Sequence, residues 1–270
     1  MYGKAGVDFP RRIVCLTAET TEIVYALGVG DHVVGVPGTA VRPPEAREKP
    51  KVGGFTTFRL DRILALKPDL VLAFSDLQKD IVRDLVGAGV PVFTTNQRSF
   101  KEILQTILMI GSLIGRETEA RALIQDMRDE VKQIREFSSV WPHRPRAYFE
   151  EWPDPLIAGI RWVSELIELA GGQDIFPELR DKPSASERTV DPAEVVRRNP
   201  QIIVASWCGK KVDPEAIRSR PGWGAISAVR EDQIYELDGA DILSPGPSVM
   251  GGLRQLHDIV QSYKARRQAS

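Results

Sequence analysis

Short apolar runs alternate with helical stretches along most of the chain. Ile13-Val14-Cys15-Leu16 is an apolar run followed by Thr17-Ala18-Glu19-Thr20-Thr21, then by Glu22 to Leu27 and Gly28. This order predicts a buried strand, a polar loop with Thr20 as helix cap, and a glycine stop. Val33 to Val36 reads as the next strand and Leu60 to Leu66 as a short helix. Lys67-Pro68-Asp69 then turns into the strand Leu70-Val71-Leu72-Ala73-Phe74. Ile81 to Ala88 is helical, Gly89 ends it, and Pro91 to Thr95 is another strand. Strands alternating with helices predict a parallel sheet covered on both faces.

Two longer helices follow. Phe100 to Ile114 is amphipathic, and Glu117 to Phe137 carries charges of both signs three or four residues apart, without internal Pro or Gly. The second reads as a largely solvated, unkinked rod. Trp141-Pro142-His143-Arg144-Pro145 breaks it. The grammar then repeats: Arg146 to Phe149 as strand, Val163 to Ala170 as helix, Ile202 to Ala205 and Ile234 to Leu237 as strands, and a terminal helix from Gly251. Glu22–Gly28 is echoed by Glu165–Gly171, and Ile63–Leu72 by Val195–Val204, in the same order. Two related α/β lobes are therefore expected: residues 1–115, a linking helix over 116–140, and residues 141–270.

Charge narrows the function. The 36 Lys+Arg balance 37 Asp+Glu, a net charge of −1, and supply no general basic surface for nucleic acid. The longest apolar stretch, Ile103 to Gly115, is interrupted by Gln105, Thr106 and Ser112 and is shorter than the roughly 18 residues of a membrane span. Met1 to Ala5 lacks the apolar segment of a secretory signal. Two locations follow: periplasmic or otherwise extracytoplasmic if a signal has been removed, or cytoplasmic. Cys15 and Cys208 are too few for a disulfide framework or a cysteine zinc site, and no bond between them is expected. His32, His143 and His257 are scattered, so no metal site is expected.

Catalytic and nucleotide motifs fail. Gly28-Val29-Gly30-Asp31-His32-Val33 lacks the third glycine of a dinucleotide loop and follows a helix rather than a strand. Gly209-Lys210-Lys211 lacks an upstream glycine at phosphate-loop spacing. No Gly-x-Ser-x-Gly, Cys-x-x-Cys or His-Glu-x-x-His string occurs. No catalytic residue is assigned, and these patterns give an enzyme no foothold.

In parallel sheets, ligands bind beyond the carboxyl ends of the strands. The residues at those places are Thr17, Ala18 and Glu19, then Gly54, Phe55 and Thr56, then Ser75. In the second half they are Glu151, Trp152, Trp162, Trp207, Cys208, Gly209 and Ser244. Trp152 and Trp207 read as ligand walls, while Trp162 fits a core position equally well. Glu150 and Glu151 are adjacent on a strand and face opposite ways, so they do not form an acid–base pair. Cys208 has no histidine nearby in sequence to activate it.

Ile13-Val14-Cys15-Leu16-Thr17-Ala18-Glu19-Thr20-Thr21-Glu22, Val52-Gly53-Gly54-Phe55, and Leu60-Asp61-Arg62-Ile63-Leu64-Ala65-Leu66-Lys67-Pro68-Asp69-Leu70-Val71 form a series. It continues through Ala170-Gly171-Gly172, Val190-Asp191-Pro192 and Asn199-Pro200-Gln201-Ile202-Ile203-Val204. Over nearly the whole chain this resembles the substrate-binding proteins of cobalamin, siderophore and haem ABC importers, most of all the cobalamin-binding members. The resemblance implies two Rossmann-like lobes with parallel sheets, joined by one rigid helix, holding a large ligand between them with little hinge motion. It implies no covalent cofactor, a cobalamin or related corrinoid as transported ligand, a membrane permease as partner, and a monomer. Acidic residues of each lobe dock the permease in those relatives; Asp61 matches the first, and Ala193, with Glu194 beside it, the second. Phe55 matches a ligand-stacking aromatic. The matching second-lobe aromatic falls near Glu187 and is missing, which leaves Trp152, Trp162 or Trp207 as replacements. Haem or a ferric siderophore is the alternative ligand, with Arg59, Arg98, Arg161 and Lys210 as candidate cations. An intracellular corrinoid-handling protein or enzyme is the alternative from another class.

Overall fold

In the computed structural model, which describes residues 8–139 and 143–268, the first apolar run is β1 (Ile13–Cys15), wholly buried. It leads into α1 (Ala18–Ala26), whose cap is Thr17 rather than Thr20. Thr17 has the extended backbone an N-cap needs and accepts a hydrogen bond from the Thr20 amide, whereas Thr20 already lies in the first helical turn. Gly28, at φ +77°, ends the helix as expected. β2 (Val33–Gly35), α2 (Leu60–Ala65), β3 (Leu70–Phe74), α3 (Lys79–Gly87) and β4 (Val92–Thr95) follow. The four strands are parallel, in the order β2-β1-β3-β4. Val14, Leu16, Ile63, Val71, Ala73 and Leu85 form the core beneath them.

The helices α4 (Phe100–Leu113) and α5 (Glu117–Ser139) match the two long helical patterns. The chain forms two compact units: residues up to 97 with 101–126, and residues 98–100 with 127 onward. Residues 117–126 of α5 thus belong to the first unit and the remainder to the second. The expected helix break at Trp141-Pro142 and the segment Met1 to Ala5 lie outside the described residues.

The second unit opens with β5 (Arg146–Pro153) and β6 (Leu156–Ala158), then α6 (Arg161–Leu169), β7 (Gln173–Asp174) and α7 (Pro192–Arg198). β8 (Ile202–Ala205), α8 (Pro214–Arg218), α9 (Ser227–Arg230), β9 (Ile234–Glu236), α10 (Gly239–Ile242) and α11 (Val249–Gln268) complete it. β5 outruns its expected end at Phe149. Its polar residues stay in the sheet because arginines neutralise Glu150 and Glu151, and the strand then turns back to pair antiparallel with β6. The sheet is otherwise parallel, and β7-β5-β8-β9 repeats the order β2-β1-β3-β4.

The internal echo is therefore structural, and it extends to side chains. Arg12 precedes β1 and donates to the Leu66 and Lys67 carbonyls at the end of α2; Arg146 begins β5 and donates to the Arg198 and Asn199 carbonyls at the end of α7. A cation at a helix carboxyl end is favoured by the carbonyl dipoles it meets. Lys67 and Asn199 both take the left-handed conformation, at φ 48° and 46°, before Pro68 and Pro200. The Arg12 amide donates to Asp69, and the Arg146 amide to Gln201. Each lock fixes a helix to the start of the first strand of its unit.

Candidate functional site

At the carboxyl ends of the first sheet the loops are tied together by a residue the sequence reading passed over. Gln78, only 2% exposed, accepts from the Phe74 amide at the end of β3 and donates to two carbonyls. One is Leu16, just past β1, at 3.2 Å; the other is Phe55, at 2.9 Å. Gly54 donates its amide to the Thr57 carbonyl and Gly53 accepts from the Gly38 amide beyond β2. The 53–58 loop is thus held over the ends of three strands. It presents Phe55, 38% exposed and 6.5 Å from the Phe74 ring, with Thr56 exposed beside it. Leu77, also missed, stands 55% exposed one residue before Gln78.

Ser75 closes β3 in a conformation that L residues rarely adopt, φ 54° and ψ −179°. Such a backbone costs about 1–3 kcal/mol and persists only where its surroundings impose it. Here the Ser75 amide donates to Thr95 at 2.7 Å while its hydroxyl accepts from the Leu77 amide. The chain is thereby turned out of the sheet toward Leu77 and Gln78. Across β1, Thr17 is buried as the α1 cap and Ala18 is half-buried. Glu19 is 3% exposed, and its Oε1 has no hydrogen-bond partner. Burial pushes the Glu19 carboxyl up to about 7, with the charge of Glu22 adding to the rise.

The second sheet carries two buried ion pairs at the same edge. Glu150 is fully buried and takes both guanidinium nitrogens of Arg220, at 2.5 and 2.9 Å, together with the Trp207 indole N–H at 3.0 Å. Arg220 in turn lies 4.5 Å over the Trp223 ring. Glu151 pairs with Arg188 at 2.6 and 3.1 Å and accepts the Ile160 amide. The two neighbouring carboxylates face different partners, as adjacent strand positions require. Arg188 and Arg220 lie 37 and 70 residues from the carboxylates they neutralise, and no local pattern announces them.

The tryptophans divide three ways. Trp152 is half-buried within β5, with its indole N–H on the Asp154 carbonyl and the Lys210 ammonium 4.4 Å over its ring. Trp207 is 9% exposed and packs in the second core, so it stands as a buried anchor for Glu150 rather than as an open ligand wall. Trp162 is 4% exposed, with its indole N–H on the Ile242 carbonyl, and takes the core position left open by its sequence context. Cys208 and Gly209 are exposed just past β8. Burial and the Glu151 charge raise the Cys208 thiol above its ordinary range, which disfavours a thiolate nucleophile. Ser244 is half-buried between α10 and α11.

Of the two acidic residues expected at a permease, exposed Asp61 accepts both Arg59 nitrogens at 3.2 and 3.1 Å, which lowers its pKa. Glu194 is bound by Arg197 and Arg198, and these hold its carboxyl down to about 2. Among the described residues, no helix is long and apolar enough to cross a membrane, and no cluster of His, Cys, Asp and Glu could hold a metal. A cavity of about 900 Å³ in the second unit is lined by Phe137, Arg144, Pro145, Gln201, Tyr263 and Lys264 among others. Pro145 and Gln201 precede β5 and β8, so it lies at the amino edge, away from these loops.

The sequence and the fold are shared with known proteins. The chain is 31% identical over 266 residues to an uncharacterized ABC transporter substrate-binding lipoprotein, YvrC, of Bacillus subtilis, covering 93% of this chain and 80% of that one. The structure of the periplasmic vitamin B12 binding protein BtuF of Vibrio cholerae superposes with a TM-score of 0.76 at 25% identity, covering 96% and 99% of the two chains. The periplasmic heme-binding protein RhuT of Roseiflexus sp. RS-1 superposes with a TM-score of 0.79 over 96% and 98%, a likeness of fold alone at 24% identity. The periplasmic binding protein family matches residues 13–240. The chain belongs to that family, whose members are substrate-binding transport proteins.

Proposed function

We propose that this protein delivers a corrinoid of the cobalamin type to an ABC importer from the outer side of the cytoplasmic membrane. One observation carries the choice of ligand: three of the four candidate cations for an anionic chelate, Arg59, Arg161 and Lys210, and both buried arginines of the second sheet are already engaged. Arg188 and Arg220 are neutralised by Glu151 and Glu150. Arg59 is paired with Asp61, Arg161 with Glu165 and Asp181, and Lys210 covers Trp152. Recruiting Arg188 or Arg220 to a carboxylate-bearing ligand would strand a buried Glu, a cost of several kcal/mol. An uncharged, amide-rimmed macrocycle makes no such demand. It is met on the first unit by the exposed Phe55 ring, through apolar contact and loop amides.

Likeness to an ABC transporter lipoprotein and to a vitamin B12 binding protein supports the same reading. Asp61 and Glu194 are the proposed permease contacts, the protein itself being without catalytic function. Dialysis of the purified protein against a mixture of cyanocobalamin, haemin and a ferric siderophore, followed by its visible spectrum, tests the ligand. Retention of cyanocobalamin in equimolar amount is expected. Retention of haemin or the siderophore in its place refutes the corrinoid reading.

A further inference from the structure

Resting on the corrinoid reading above, we infer that Glu19 in its acid form recognises a primary carboxamide on the ligand rim through its unpartnered Oε1, whose O–H donates to the amide carbonyl.

The position is built for one ligand group. Glu19 is the second residue of the nine-residue helix α1, whose first turn meets the carboxyl end of β1. It is 3% exposed, and its Oε1 is unpartnered. The neighbouring hydroxyls do not supply that bond, since both Thr20 and Thr21 donate to the Thr17 carbonyl. Gln78 holds the Leu16 and Phe55 carbonyls together, so the exposed aromatic is brought to the strand end from which Glu19 arises. Phe55 and the first turn of α1 are thus gathered at the same strand end, where the rim amides of a ligand would meet Glu19. A buried polar atom left without a partner is costly, and a ligand amide relieves that cost.

Proton affinity at the site suits the acid form. The titratable groups that act on Glu19 are Glu22 on its own helix and Cys15 on β1, whose thiol is held un-ionised up to about 12. Neither offers a positive charge to hold the carboxylate. Burial is the largest influence and, with the charge of Glu22, outweighs the hydrogen bonds from Thr17 and from the Glu19 backbone amide, which favour the ionised form. With the carboxyl titrating at about 7, binding that selects the acid takes up a proton at higher pH. Affinity then stays level below about pH 7 and falls by up to about tenfold per unit above it.

Calorimetric titration of wild type and Glu19→Gln with cyanocobalamin between pH 6 and pH 9 tests this, with thermal unfolding of both proteins in the same buffers. Glutamine offers an N–H donor where the acid has its O–H, without a titrating proton. Wild-type affinity is expected to drop at least tenfold across this range while Glu19→Gln stays nearly level and close to the wild-type value at pH 6. Repeating the wild-type titration at pH 8 in two buffers of different ionisation enthalpy reads the proton directly, without any variant; uptake of close to one proton is expected. Binding with no proton uptake, an equal slope in Glu19→Gln, or affinity rising with pH overturns the role of Glu19 and leaves the corrinoid reading standing. Absence of cyanocobalamin binding at every pH overturns both.

Discussion

The side-chain amide of Gln78 donates to the Phe55 carbonyl at 2.9 Å and so fixes the one exposed aromatic of the 53–58 loop against the ends of β1 and β3. Gln78→Ala removes three hydrogen bonds from a buried place and is expected to cost about 1–4 kcal/mol of stability. Loss of order in the loop should go with it. Denaturant unfolding measures the first effect. Faster amide exchange at Gly54, whose N–H is bonded to the Thr57 carbonyl, measures the second.

Phe55 and Trp207 should separate binding from stability. Phe55 is 38% exposed, so Phe55→Ala should leave unfolding nearly unchanged while weakening ligand binding by roughly tenfold to a hundredfold. Trp207 lies in the core and holds Glu150, so Trp207→Ala should destabilise the fold by about 3–5 kcal/mol. Thermal unfolding beside ligand titration of the two variants distinguishes them. Equal unfolding temperatures would show that Trp207 is not a core anchor.

The ion pair beneath Trp207 is sensitive to removal of one partner. Arg220→Ala leaves the fully buried Glu150 carboxylate without its cation, and a loss of about 3–5 kcal/mol is expected. The double variant Glu150→Gln, Arg220→Ala should recover a large part of it, because no charge is then stranded. Chemical denaturation of the four proteins in a double-mutant cycle measures the coupling.

How much of this was legible depended on whether the signal was local. The strands Ile13–Cys15, Leu70–Phe74 and Ile202–Ala205 are apolar runs between turn residues, and the helices carry their own periodicity, so the two-unit α/β grammar could be read directly. The echo between Lys67-Pro68-Asp69 and Asn199-Pro200-Gln201 was visible as a string, but not its reason, which lies with Arg12 and Arg146 more than 50 residues away. The run of β5 to Pro153 has no local mark, because Glu150 and Glu151 are held in the sheet by Arg220 and Arg188, 70 and 37 residues away. Trp207 was misjudged for the same cause, since its partner Glu150 is 57 residues distant. At the candidate site, the aromatic and glycine positions stood out by type. Gln78 and Leu77 did not, because a glutamine and a leucine after a strand carry no mark of their role.

Stability should vary with pH through Glu19. Its carboxyl is raised in the folded chain to about 7 from an ordinary value of 4.5, so folding favours the protonated form. The contribution is fully present below pH 4.5 and is lost as pH rises toward 7, by roughly 3 kcal/mol at most. Glu19→Gln should therefore match wild type at pH 4.5 and exceed it in unfolding temperature at pH 8. A wild type that is equally stable relative to Glu19→Gln at both values would show that the carboxyl is not buried.

The most direct measurement is a calorimetric titration of the purified protein at pH 6.5 with cyanocobalamin and, separately, with haemin. Saturable binding of one cyanocobalamin per chain, weakened by Phe55→Ala and at least tenfold tighter than haemin, is the expected result. Haemin binding more tightly than cyanocobalamin, or cyanocobalamin failing to bind, would contradict the assignment of an uncharged corrinoid to these loops.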